Sequence, residues 1–279
     1  MSTNSSVREL FNLEGRVAII TGGAGMLGVK HAEALSEMGG IPVIVDLQEE
    51  QCKSVEEHIR NRHAGEALGI GADITVKDQV QDLVEKVVGH YGRIDILINN
   101  AALTVKGGGS GFDDYFAPFE GYQESLFELA LRVNLLGAFL VTQAVGRVME
   151  SQKRGVIVNI SSDVALISPD HRIYKSMTYA GKPFNTPVAY SMSKAALLAF
   201  TRYLATYWAK KGIRVNALSP AGVYDNHDSF FVERLSNLIP LGRMAKKDEY
   251  KGAILFLCSD ASSFMTGANL IIDGGRTAW

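Results

Sequence analysis

The 279-residue sequence predicts an α/β fold, a doubly wound parallel sheet of about seven strands. Three observations carry that expectation. Short β-branched runs alternate with longer helix-patterned stretches along the whole chain. The runs are almost continuously apolar, as strands covered on both faces must be. No Pro- or Ser-rich linker and no internal repeat divides the chain, so 1–279 reads as a single domain.

The first run, RVAIIT (16–21), enters a glycine-rich turn and a helical pattern over 26–38. IPVIVD (41–46) is followed by a helix at 49–62, EALGIGAD (66–73) by one at 76–91, and IDILIN (94–99) by one at 123–152. GVIVNIS (155–161) precedes a helix at 190–211 and IRVNALS (213–219) one at 246–260, and ANLIID (268–273) closes the series. Each pair of parallel strands needs a crossover, which the intervening helices supply.

Two stretches break this rhythm. Residues 103–122 hold GGGSG (107–111) with Phe112, Tyr115, Phe116, Phe119 and Tyr122; residues 163–189 hold SPDHRIYKSMTYAGKPFNTP. Both follow strand C-termini, the side on which such sheets bind ligands. They are read either as tolerated insertions or as the wall of a substrate site. The aromatic stretch 112–122 is read evenly as packing or as partner-binding surface.

Composition excludes several classes. With 28 Lys+Arg against 30 Asp+Glu the net charge is −2, which gives no basic surface for nucleic acid or anionic membrane. Cys52 and Cys258 lie 206 residues apart, with no metal-ligand spacing around them, so no metal site is expected. His31, His58, His63, His90 and His227 are read as surface or packing residues. The start, MSTNSSVREL, has no apolar signal region, and no run reaches the roughly 18 apolar residues of a membrane span. A soluble, cytoplasmic protein is expected.

TGGAGMLG (21–28) contains a literal G-x-G-x-x-G over 23–28, placed between a strand and a helix. Such glycines allow a tight turn and close backbone approach, and the helix start presents N–H groups to a pyrophosphate. This marks a Rossmann dinucleotide-binding turn. Asp46 ends the second strand 18 residues beyond Gly28, close to the spacing of about 20 for a ribose-binding acid. A carboxylate there accepts from ribose hydroxyls and repels a 2′-phosphate, and no Lys or Arg lies within 22–28 to offset it. NAD is expected over NADP.

Ser161 and Ser162 end the fifth strand, and YSMSK places Tyr190 and Lys194 one above the other on a helix. An ammonium beside a phenol favours the phenolate, so the pair is expected to lower the Tyr190 pKa and act in proton transfer. That chemistry suits hydride exchange between an alcohol and NAD. Spacing alone is weak evidence, because Tyr207 and Lys211 repeat it 17 residues later, about 260° around the same helix. Tyr190 is preferred for its place near the helix start, and Tyr207 is read as packing or surface.

Together these motifs resemble the short-chain dehydrogenase/reductase family, over residues 13–276 and in the family's order. TGGAGMLG is similar to its glycine-rich TGxxxGxG turn, which implies cofactor contacts at Gly22, Gly25, Met26, Leu27 and Gly28. The resemblance also implies contacts at Asp46 and Leu47, and at Asp73 and Ile74 of ADIT, where the aspartate would hold the adenine. NNAA resembles the NNAG motif and implies Asn100, Ala101 and Ala102; SPAGV resembles the PG motif and implies Pro220, Gly222 and Val223 beside the nicotinamide. Tyr190 would be the general acid/base, with Lys194 on the nicotinamide ribose, Ser162 on the substrate oxygen and Asn134 anchoring a relay water. Met26, Ala102, Ala221 and Asp225 depart from the family pattern.

The resemblance implies a secondary alcohol or ketone as substrate. The C-terminal third is similar to bacterial members linked to flagellin modification and nonulosonate sugars, which points to an anionic sugar or sugar derivative. His171, Arg172, Lys175 and Lys182 would then grip a carboxylate or phosphate, unless they form a solvated loop. Asp163 and Asp225 are candidate contacts for substrate hydroxyls, or structural caps. The rival readings are a 3-oxoacyl thioester reductase and a catalytically silent cofactor-binding protein. Family members are usually homotetramers, and the apolar runs ALLAFTRYLATYW (195–207) and TAW (277–279) suit such contacts.

Overall fold

The computed structural model describes residues 6–63, 65–103 and 112–279; the GGGSG of the first long loop lies outside the described residues. A short helix α1 (Val7–Leu10) precedes β1 (Val17–Thr21), α2 (Met26–Ser36), β2 (Ile41–Asp46) and α3 (Glu49–His63). Next come β3 (Leu68–Gly71), α4 (Lys77–Tyr91), β4 (Ile96–Asn99), α5 (Glu124–Leu131), α6 (Ala138–Gln152) and β5 (Gly155–Ile160). The second long loop carries a two-residue hairpin, β6 (Thr178–Tyr179) and β7 (Lys182–Pro183). The chain ends with α7 (Val188–Trp208), β8 (Ile213–Pro220), α8 (Ser229–Ser236), α9 (Lys251–Cys258) and β9 (Asn269–Ile272).

Seven strands form one sheet in the order β3-β2-β1-β4-β5-β8-β9, every neighbouring pair parallel. Alternation within a strand sends residues to opposite faces. Val17 and Ile19 pack with Val84 and Val87 of α4, Val141 and Val145 of α6 and Trp208 of α7. Ala18 and Ile20 pack with Leu35 of α2, Ile59 of α3 and Leu257 of α9. Each fully buried Leu or Ile contributes about 1.5–3 kcal/mol, so the apolar runs seen in the sequence bind both helical layers to the sheet. Cys52 and Cys258 lie buried in the second layer, where burial pushes their thiols up to about 11 and about 12.

The strand order reverses between β1 and β4. Chains leave β1 toward β2 and leave β4 toward β5, so a crevice opens at the strand C-termini between them.

One expectation is corrected. The helical run Glu124–Gln152 is long and apolar enough to cross a membrane, with hydropathy 1.5. Its apolarity has a different cause. Val141, Val145 and Met149 pack into the core, while Leu136 and Phe139 face outward. A helix apolar on two sides reads as a span when only its composition is counted.

Candidate active site

The β1–α2 turn is built for close approach. Gly22 takes φ +62°, and a Cβ there would lie 2.8 Å from Ala101 Cα; one at Gly28 would lie 2.2 Å from the Gly22 carbonyl oxygen. Both obstacles are backbone and cannot swing aside. Gly25 is the N-cap of α2 and offers no side-chain cap, so the first-turn N–H groups stand open where Gly25, Met26 and Leu27 line a cavity. These features fit a pyrophosphate. Met26 simply starts the helix, so the departure at this position leaves the turn intact.

Asp46 Oδ2 accepts from Ala24 N at 3.2 Å and Oδ1 from Leu47 N at 2.9 Å, tying the second strand to the glycine turn. Asn100 Nδ2 donates to the carbonyls of Thr21 (3.1 Å) and Gly22 (2.9 Å), and Ala101 N donates to Thr21 Oγ1. Asp73 Oδ1 accepts from Thr75 N at 2.8 Å. One cavity of about 940 Å³ is lined by the expected cofactor contacts but one: Gly22, Gly25, Met26 and Leu27 at the turn, Asp46, Leu47, Asp73 and Ile74 beside it, and Asn100, Ala101, Ala102, Pro220, Gly222 and Val223 beyond. Gly28 is the exception. It is buried beneath the turn and serves packing.

The same cavity holds Ser162, Tyr190 and Lys194. Strand β5 delivers the serines, and α7 begins at Val188, capped by Pro187, whose fixed φ suits a helix entry. Ser161 Oγ donates to the Lys194 carbonyl at 2.8 Å, which locks the strand end to the helix. Lys194 Nζ donates to the Ile160 carbonyl at 2.7 Å and lies 5.7 Å from the centre of the Tyr190 ring.

The electrostatics correct the expected direction. Burial pushes Tyr190 up to about 12, with the Ser162 hydroxyl working against it, and burial lowers Lys194 to about 8. Desolvation disfavours the charged form of each group and is the largest cause of both shifts.

Asn134 sits in a π-helical stretch, Arg132–Gly137, between α5 and α6. Its Oδ1 accepts from Leu103 N at 2.7 Å and its Nδ2 donates to Ser193 Oγ at 2.9 Å. It is buried behind the cavity wall rather than on it.

Several further expectations change. Arg172 is paired with Asp170 at 2.7 Å, Lys182 with Asp114, and both cations face solvent, as do His171 and Lys175. None of the four lines the cavity, so they form a solvated loop. Asp225 is paired with Lys247 Nζ at 2.6 Å, off the cavity wall, whereas Asp163 is on it. In the aromatic stretch, Tyr115 is buried with its hydroxyl on the Leu103 carbonyl, and Phe116 stacks on Phe184 at 4.2 Å. Packing accounts for most of that stretch. Tyr207 is exposed and stacked on Tyr203, and Lys211 pairs with Glu150, well away from the cavity lining.

The substrate end also contains residues that sequence reasoning missed: Tyr174, Thr186, Phe231, Leu235 and Arg276. Thr186 Oγ1 donates to Tyr174 Oη at 2.8 Å, and Tyr174 stacks on Phe231 of α8 at 5.8 Å. Helix α8 had a legible signal in Asp228, whose carboxylate caps Phe230 N and Phe231 N.

Comparison with known proteins agrees with this geometry. A family model described as enoyl-(acyl carrier protein) reductase matches residues 23–277. The NAD-dependent glycerol dehydrogenase of Listeria innocua is 34% identical over 272 residues, covering 96% of both chains. The D-threitol dehydrogenase of Mycolicibacterium smegmatis is 34% identical over 272 residues, covering 96% of this chain and 95% of its own. The crystal structure of an NAD+-bound xylitol dehydrogenase superposes with a TM-score of 0.81 at 30% identity, covering 94% of this chain and 99% of that one. The chain therefore belongs to the short-chain dehydrogenase/reductase family of oxidoreductases.

Proposed function

We propose that the protein is an NAD-dependent dehydrogenase that interconverts a secondary carbinol of a polyol or sugar with the ketone, releasing one proton in the oxidative direction. The observation that carries this reading is the single cavity joining Asp46 and the glycine turn to Tyr190 and Ser162. The polyol names of the relatives support the substrate class. Bound NAD supplies the carbon that accepts the hydride.

The chain's own residues handle position and proton. Asp46 accepts from the adenosine ribose and rejects a 2′-phosphate, and the open N–H groups of α2 take the pyrophosphate. Tyr190 gives its proton to a ketone oxygen or takes it from a carbinol. At about 12 its phenol is protonated at neutral pH, which readies it for reduction and makes oxidation gain with alkalinity. Lys194 is held by the Ile160 carbonyl for the nicotinamide ribose. Ser162 positions the reacting oxygen, and Asn134 supports the relay from behind the wall.

A neutral substrate is favoured over an anionic one. The cations expected to hold an acidic sugar of nonulosonate type face solvent, and among the described residues Arg276 on the cavity wall is already paired with Asp163. The family model's description keeps a thioester reductase as the second reading. Steady-state kinetics on polyols, ketoses, sugar acids and 3-oxoacyl thioesters with NAD(H) and NADP(H) decide between them. Highest kcat/KM on a polyol or ketose with NAD(H) is expected; highest efficiency on a thioester with NADPH overturns the reading.

The same reading includes one dinucleotide-binding domain, a soluble cytoplasmic location and a homotetramer. Exposed Phe139, Tyr203 and Tyr207 on α6 and α7, and Phe264 and Ile271 near β9, supply apolar contact surface. Light scattering should give four times the chain mass. Trp279 donates its indole N–H to the Leu238 carbonyl while its ring stays exposed.

A further inference from the structure

The last turn of the chain is built to place one side chain. After β9, Gly274 and Gly275 take φ +68° and +91°, and Asp273 accepts from Gly275 N at 2.9 Å and Thr277 N at 2.7 Å. A Cβ at Gly274 would lie 2.6 Å from Ile239 Cγ2, so only glycine turns the backbone there. The result is Arg276, only 7% exposed, on the wall of the substrate cavity.

Arg276 Nη1 donates to Asp163 Oδ2 at 2.5 Å. Asp163 Oδ1 in turn accepts from Ser162 Oγ at 2.9 Å and from Val164 N at 2.8 Å, so the carboxylate is fixed between the serine and the guanidinium. Nε and Nη2 of Arg276 donate to no acceptor among the described residues. These two nitrogens form the side-on fork of the guanidinium, which suits a pair of oxygens. Neither nitrogen is among the fully buried polar atoms that lack a partner, so both open onto the cavity, where ligand oxygens can replace water.

We propose that Arg276, held by Asp163, is a specificity-determining residue that takes the hydroxyl oxygens next to the reacting carbinol. This rests on the polyol reading above. Two steps lead from the reacting oxygen to the fork, Ser162 to Asp163 and Asp163 to Arg276, which places the fork over the neighbouring carbons. The Asp163 charge already compensates the guanidinium, so a carboxylate in the fork would leave a net buried charge, whereas hydroxyls would not.

The test compares the full-length enzyme with Arg276→Gln and with the doubly neutral D163N/R276Q. The substrates are the best polyol of the panel, its analogue lacking the adjacent hydroxyl, and the matching sugar acid. Arg276→Gln is expected to raise KM for the polyol about 10-fold or more, to lower kcat less, and to flatten the preference for polyol over deoxy analogue. NADH affinity, read by fluorescence, should stay within about twofold, because Arg276 is paired with Asp163 beside Ser162 and with no residue of the glycine turn. Wild-type KM with undiminished preference in Arg276→Gln overturns the proposal. A larger loss on the sugar acid than on the polyol overturns the choice of neutral oxygens. If Arg276→Gln does not fold, the double variant makes the same comparison without a lone buried charge. Should the wild-type enzyme turn over no polyol or sugar, the substrate reading falls by itself. The variants are then run on whichever substrate the panel accepts, where an unchanged KM overturns the role of Arg276 and a raised KM sustains it.

Discussion

At Tyr190, burial raises the pKa of the phenol, the Asp163 charge acts in the same direction, and only the Ser162 hydroxyl opposes. The pairing with Lys194 was legible from four-residue spacing on a helix, but the sign of the pKa shift was not. It depends on how much water reaches the phenol, which no local pattern encodes. Removing the phenolic hydroxyl in Tyr190→Phe should lower kcat by about 10²–10⁴-fold while NADH still binds, read by steady-state rates and fluorescence titration. Asp46 stands at the end of the second strand, as its spacing from Gly28 predicts, and lines the cavity. It also holds the glycine turn through Ala24 N. Asp46→Ser should raise kcat/KM with NADP by about 10-fold or more, through removal of charge repulsion, and should weaken NAD.

Elements were mostly legible, because apolar β-branched runs and helical periodicity are local signals. Strand β2 falls on the expected residues, and β1 and β8 within one of them. The interruption of the long helix at Arg132–Gly137 was not visible. A π-helical turn shifts register by one residue, here aiming Asn134 at Leu103 and Ser193, and it is set by packing rather than by helix propensity. The glycine turn belongs to this scale too. Gly28→Ala puts a methyl against the backbone of Gly22 and Gly23, so it should destabilise by about 1–3 kcal/mol and weaken NADH binding, as denaturant melts and titration would show.

Over the whole molecule, stability depends on what the two helical layers enclose. His31 of α2, read from sequence as ordinary surface or packing, is fully buried, and burial lowers its pKa from 6.5 to about 3 against a smaller contribution from Asn100. The folded pKa lies below the unfolded one, so the unfolded chain binds the extra proton. Its contribution to stability is complete above about 6.5 and is lost as pH falls toward 3. His31→Leu should therefore show a smaller fall in urea midpoint between pH 7 and pH 5 than the wild-type protein does.

From its residues alone, the chain determined the strand–helix alternation, the glycine turn, the acid that ends β2 and the Tyr190–Lys194 pair, since each is written in side-chain period or short spacing. Only the tertiary structure decided that the loop cations face solvent and that Asp225 turns to Lys247. It also decided that Arg276, 113 residues from Asp163, pairs with it on the cavity wall. Those outcomes depend on which distant segments share a wall, and a linear pattern carries no information about proximity across so many residues.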